Sequence, residues 1–153
     1  MTKAERERLH ALLAKVSFQA SGWDGVASVT HTAAMLVIRL DHGVQVKVTS
    51  TPRGEYARTF HYHHCWPLCL DVSPELDFNA LVNRLASWIK PPIDREVQRH
   101  RHDEAVSGQV AQTAAMLQAR YPSLQVISKK APLGPTRLSM DGVIVEVYPC
   151  ITQ

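Results

Sequence analysis

At 153 residues, 45% apolar and 20% charged, the chain has the size and balance of one globular domain, which excludes wholesale disorder. No apolar run approaches the ~20 residues a membrane-spanning helix needs. The start, MTKAERERLHALLAKV, is charged and lacks a signal peptide's apolar centre, so a cytoplasmic protein is expected. The net charge of +3 permits contact with nucleic acid without demanding it.

Thr2 followed by Glu5 is a capping-box signature, and Leu9, Leu12, Leu13 and Val16 recur at helical spacing, which predicts an amphipathic helix over residues 3–16. Residues 17–33, with Gly22 and Gly25, show no clean period and read as a loop with a short strand at 26–30. AAMLVIRLDHGVQVKVTST then predicts a β-hairpin. Leu36, Ile38 and Leu40 alternate on one strand, Asp41-His42-Gly43 turns, and Val44, Val46 and Val48 alternate on the return, with Gln45 and Lys47 facing water. Pro52-Arg53-Gly54 supplies a second turn.

The stretch FHYHHCWPLCLDV, residues 60–72, concentrates imidazoles and thiols and reads as one strand. Its alternation would put Phe60, Tyr62, His64 and Trp66 on one face and His61, His63 and Cys65 on the other. His61, His63 and Cys65, with Cys69 beyond Pro67, are the candidate zinc ligands. The usual signature of two close ligands and two distant ones is absent, which favours a plain strand with no metal and no cofactor. Cys65, Cys69 and Cys150 are an odd number, and free thiols are expected.

Residues 73–90 read as a second helix, capped by Asp77, with Phe78, Leu81, Leu85, Trp88 and Ile89 on one side and Pro91-Pro92 as its stop. A third helix is expected over 93–120, charged at first and then striped by Val106, Val110, Leu117 and Tyr121. Its cluster RHRHDE, with Arg95, Arg99 and Arg101, suits phosphate contact but equally a solvated face with i,i+4 charge pairs, which is the favoured reading. A strand near SLQVIS and a hairpin, TRLSMDGVIVEVYP, turning at Asp141-Gly142, close the chain. The expected fold is α+β in a single domain, 1–153, with any subdivision near 91–93. Its antiparallel sheet comes mainly from two hairpins, with three helices on one face. The absence of a Gly-x-Ser-x-Gly elbow and of a phosphate-cradling glycine loop argues against an enzyme.

Residues 35–92 resemble the tail completion, or tail terminator, proteins of long-tailed bacteriophages. The resemblance lies in MLVIRLDHGVQV with Asp41 and Gly43, the aromatic alternation of Phe60 and Tyr62, the acidic turn SPELD with Asp77, and the helix bearing Leu81, Leu85 and Trp88. It implies a non-catalytic assembly protein found in the virion and, during assembly, in the host cytoplasm. Such proteins form a homo-oligomeric ring, commonly of six subunits, that caps the tail tube and docks to the head connector. On that reading Val46, Tyr62 and Trp66 are candidates for the subunit edge, and Lys47, Arg53 and Arg58 for a lumen passing DNA without sequence preference. The alternative is a small basic module that tethers to, or inhibits, a nucleic-acid-handling machine through Arg95, Arg99 and Arg101.

Overall fold

A computed structural model describes residues 2–63, 65–129 and 135–149. The fold is α+β, with helices α1 (Lys3–Ala20) and α2 (Phe78–Arg120). Strands β1 (Val26–His31), β2 (Met35–Leu40), β3 (Gln45–Pro52), β4 (Ala57–Tyr62) and β5 (Leu68–Asp71) lie between them. Strands β6 (Gln125–Lys129), β7 (Thr136–Met140) and β8 (Val143–Val147) follow α2. The chain forms two compact units, residues 1–97 and 98–153, which divide within α2.

In the first unit, β1 to β5 form an antiparallel meander in chain order. Alternation sends Leu36, Ile38, Leu40, Val46, Val48, Phe60, Tyr62 and Leu70 to one face, where they share a core with Leu9, Leu12, Leu13 and Val16 of α1. Leu81, Leu85, Ile89, Ile93 and Val97 of α2 complete that core. The opposite face is open to water. The first helix begins as expected: the Thr2 hydroxyl accepts from the Glu5 N–H at 3.2 Å, and the Glu5 carboxylate accepts from the Thr2 N–H at 3.1 Å. A cap of this kind contributes about 1 kcal/mol. The helix runs on to Ala20 because Ser17 and Ala20 are buried and no helix breaker precedes Gly22.

Two expectations fail here. There are two helices and not three, because α2 continues through Pro91-Pro92. Each proline costs a helix about 3 kcal/mol through a lost hydrogen bond and a ring clash. The row at 81, 85, 89, 93 and 97 stays on one buried face across the pair, and burying Ile93 and Val97 returns roughly 1.5–3 kcal/mol each. Two carbonyls lose their donors, those of Ser87 and Trp88; Ser87 and Pro91 are exposed, so the first of these stays within reach of water. The helix also begins at Phe78, later than 73, with the Asp77 carboxylate capping the Asn79 N–H at 3.2 Å.

The second failure is residues 60–72, which are a hairpin and not a single strand. β4 ends at Tyr62, His63 takes a left-handed φ of 43°, and the Cys65 N–H closes a turn on the Tyr62 carbonyl at 3.0 Å. β5 then pairs back on β4 with Phe60 opposite Leu68. Pro67, which has no N–H to give a ladder, falls in the connection. His64 lies outside the described residues, as does Cys150.

In the second unit, the later part of α2 buries Val110 and Ala114 with Leu124, Leu138 and Val147 of an antiparallel sheet ordered β6-β7-β8. Asp141 and Gly142, at φ 48° and 80°, make the tight turn that the Asp-Gly pair foretells.

Gly25 joins α1 to the sheet. Its φ is 81°, and a Cβ there would lie 2.5 Å from a methyl of Val97. Gly25→Ala is expected to lower the unfolding free energy by about 2–4 kcal/mol, from left-handed strain plus overpacking. Urea denaturation checks this, and the loss should shrink in a Val97→Ala background.

Candidate functional site

The supposed metal ligands do not share a strand face. His61 is exposed on the outer face of β4, its Nε2 3.4 Å from the Thr51 hydroxyl. His63 sits in the turn and Cys65 is half-buried beyond it. Cys69 is exposed on β5, with the Thr59 hydroxyl 3.9 Å from its sulfur and the Arg53 guanidinium donating to it. Among the described residues no three His, Cys, Asp or Glu side chains converge to hold a metal ion.

What the turn does build is a cleft of about 410 Å³ between the end of β4, the start of β3 and α2. Val44, Val46 and Pro92 form its apolar wall, and Tyr62, His63 and Arg95 its polar one. The Tyr62 ring packs edge-on against Trp88, with centroids 5.8 Å apart, and the Trp88 indole N–H donates to the Trp66 carbonyl at 3.1 Å. Tyr62 and Trp66, both on the segment that closes the cleft, are thereby tied to α2. Glu96, also on the cleft wall, receives His42 Nε2 at 3.3 Å. Sequence reading missed Pro92, Glu96 and His42, because the cleft depends on α2 continuing past the proline pair.

The remaining candidates separate by strand position. Val46 and Tyr62, at 2% and 4% exposure, lie on interior strands and belong to the core, so neither stands at a sheet edge. Trp66 is 90% exposed. Lys47 is on the open sheet face with Arg39 and the hydroxyls of Thr49 and Thr51, and Arg53 reaches the same face through Cys69. β1 to β4 contain no Asp or Glu. Arg58 is buried on the core side between the positions of Phe60 and the chain's preceding turn, opposite Leu70, and cannot line a lumen. Arg95 is exposed beside the cleft, Arg99 is paired with Asp103 at 3.0 Å, and Arg101 is exposed. His100 lies 3.6 Å from Glu104, so this stretch of α2 carries the i,i+4 pairs of a solvated face.

In the second unit, exposed apolar residues lie on both edge strands, Val126 and Ile127 on β6 and Val143 and Ile144 on β8. Val143 and Ile144 are 59% and 60% exposed, and Tyr148 borders a shallow groove with Met116. No described helix is long and apolar enough to cross a membrane. Comparison of the chain with protein families, with curated proteins and with solved structures finds no match.

Burial raises the Tyr62 phenol well above its ordinary pKa, with the nearby Cys65 and Glu96 adding to the effect and Arg95 opposing it. A phenol kept neutral by the fold contributes stability that is full below its unfolded pKa of about 10 and is lost as pH rises beyond it. Ultraviolet titration of the native protein should show one phenol ionising last. Tyr62→Phe should remove that step and flatten the loss of stability above pH ~10.

Proposed function

We propose that the chain is a non-catalytic assembly protein whose copies join into a homo-oligomeric ring, the role expected from its resemblance to tail completion proteins. The observation that carries this reading is the outer edge of β8. Sheet edges are normally guarded by shortness, bulges, prolines or charges, because free N–H and C=O groups template another strand. β1 carries a bulge between Val26 and Ser28, β6 one between Val126 and Ser128, and β5 is four residues long. β8, with sequence VIVEV, has no bulge and no proline. Its one charge, Glu146, is engaged by Arg137 at 2.9 Å and by the Tyr148 hydroxyl. Exposed Val143, Ile144 and Tyr148 add apolar area to the free edge, the pattern of a surface made to be covered.

A second copy of the chain is the occupant proposed. A head-to-tail contact that closes by rotation gives a ring and covers each edge with the next subunit. Native mass spectrometry should find one closed oligomer, and Ile144→Lys should reduce it to monomer while circular dichroism stays unchanged. A dimer would keep the edge contact and sink the ring. A strict monomer at high micromolar concentration would sink both.

A second reading has its own observation: Arg39, Lys47 and Arg53 share a hydroxyl-rich open face on which β1 to β4 offer no carboxylate. Such a face suits a polyanion, either DNA in a lumen or a nucleic acid bound outright. Binding to duplex DNA should weaken roughly tenfold or more over a few-fold rise in salt. Arg39→Glu with Lys47→Glu should abolish it, whereas reversing Arg99 and Arg101 should do little. Salt-insensitive binding, or loss only with the helix variants, would reject the sheet face.

A further inference from the structure

We propose that the cleft between the Tyr62–Cys65 turn and α2 binds a small carboxylate with an apolar body, the Arg95 guanidinium and the Tyr62 hydroxyl gripping the carboxylate. At about 410 Å³ the cleft falls within the ~300–1,000 Å³ of ordinary small-molecule sites, and like them it pairs an apolar wall with a few polar groups.

The polar groups point to a ligand. Tyr62 is 4% exposed as a residue, and its hydroxyl, which is not one of the buried side-chain atoms left unpaired, has no hydrogen-bond partner among the described residues and opens onto the cleft. A phenol on a cleft wall is a hydrogen-bond donor that water can occupy and that an entering anion can take over. Cys65, Arg95 and Glu96 line the same cleft as Tyr62. Its raised pKa keeps the proton on, so that it donates to an anion instead of repelling it. Arg95 is exposed and has no ion-pair partner among the described residues. Glu96, the carboxylate on the wall, is engaged by His42. His63, held at φ 43° with its ring 4.9 Å from that of Tyr62, is a non-glycine residue in a sparsely populated conformation at the mouth of the cleft.

A carboxylate fits better than a phosphate. The planar guanidinium fork matches two carboxylate oxygens, while phosphate sites recruit the free N–H groups of a helix start. Arg95 stands in the interior of α2, where no such groups are free. Val44, Val46 and Pro92 then call for a hydrocarbon or aromatic body on the ligand.

The test is calorimetric and NMR titration of the full chain with hexanoate, benzoate and phenylacetate, their neutral amides, and inorganic phosphate. At least one carboxylate should bind saturably, with its amide roughly tenfold weaker or more. Arg95→Gln should weaken binding by a similar factor and Tyr62→Phe severalfold, while Arg84→Gln, exposed on the same helix, should leave it unchanged. Both Arg95→Gln and Tyr62→Phe keep size and packing, so melting curves identify any loss due to misfolding. The proposal is overturned if no carboxylate binds, if amides bind equally, if phosphate binds more tightly, or if Arg95→Gln has no effect.

Discussion

The first unit depends on one row of aliphatic side chains along α2. Leu81, Leu85, Ile89, Ile93 and Val97 recur every four residues, and each is at most 5% exposed. Their shared burial holds the helix together across two residues that donate no hydrogen bond. Three other features follow from that continuity. Pro92, Arg95 and Glu96 become the wall of a cleft, since a helix ending at residue 90 would leave that side open. Glu96 comes within 3.3 Å of His42, joining α2 to the first hairpin's turn. Val97 fills the space beside Gly25 so closely that the residue leading into β1 has no room for a side chain.

The sheet supplies the complementary constraint. Period-two alternation decides the two faces of each strand, and a residue cannot serve both. Val46 and Tyr62 are core because their neighbours Lys47 and His61 are not. Arg58 shows the rule acting against its chemistry: its position, two before Phe60 and four before Tyr62, turns it to the core side, where it is 3% exposed. Arg39 and Lys47, on the opposite parity in adjoining strands, are left in water. The basic character of the open face thus comes from placement, since the chain as a whole carries only a mild excess of positive charge.

Local chemistry was legible in the sequence wherever a few adjacent residues decide the outcome. The Thr2/Glu5 cap, the Asp41–Gly43 and Asp141-Gly142 turns, the Asp77 cap and the alternation of β2 and β3 needed no distant partner. The proline pair misleads because its local penalty is plain, whereas the compensating row only gains meaning once a sheet exists to bury it. Ile89, Ile93 and Val97 were there to be counted, and their four-residue spacing across Pro91-Pro92 was the available signal. Residues 60–72 mislead for a related reason. Alternating aromatics suggest one strand, but Pro67 interrupts any ladder, and the left-handed His63 lets the chain reverse. Once it reverses, the proposed ligand face is gone. The cleft was not legible at all, because its wall joins residues as far apart in the chain as Val44, Tyr62 and Glu96.

The two units solve the same problem with different resources. The first covers one whole sheet face with two helices and can leave the other polar. The second has a single helical segment over three strands, and the buried part of its core is Val110, Ala114, Leu124, Leu138 and Val147. A unit that small buries a low fraction of its surface and is only marginally stable. Apolar residues such as Val143 and Ile144 remain outside its core because one helical segment lacks the area to cover them. Arg137 and Glu146, paired across β7 and β8, neutralise the edge strand's only charge within the sheet, so nothing on β8 repels an incoming strand. A neighbouring copy laid on that edge would supply the cover the helix cannot, making the unit's stability and its self-association parts of one equilibrium.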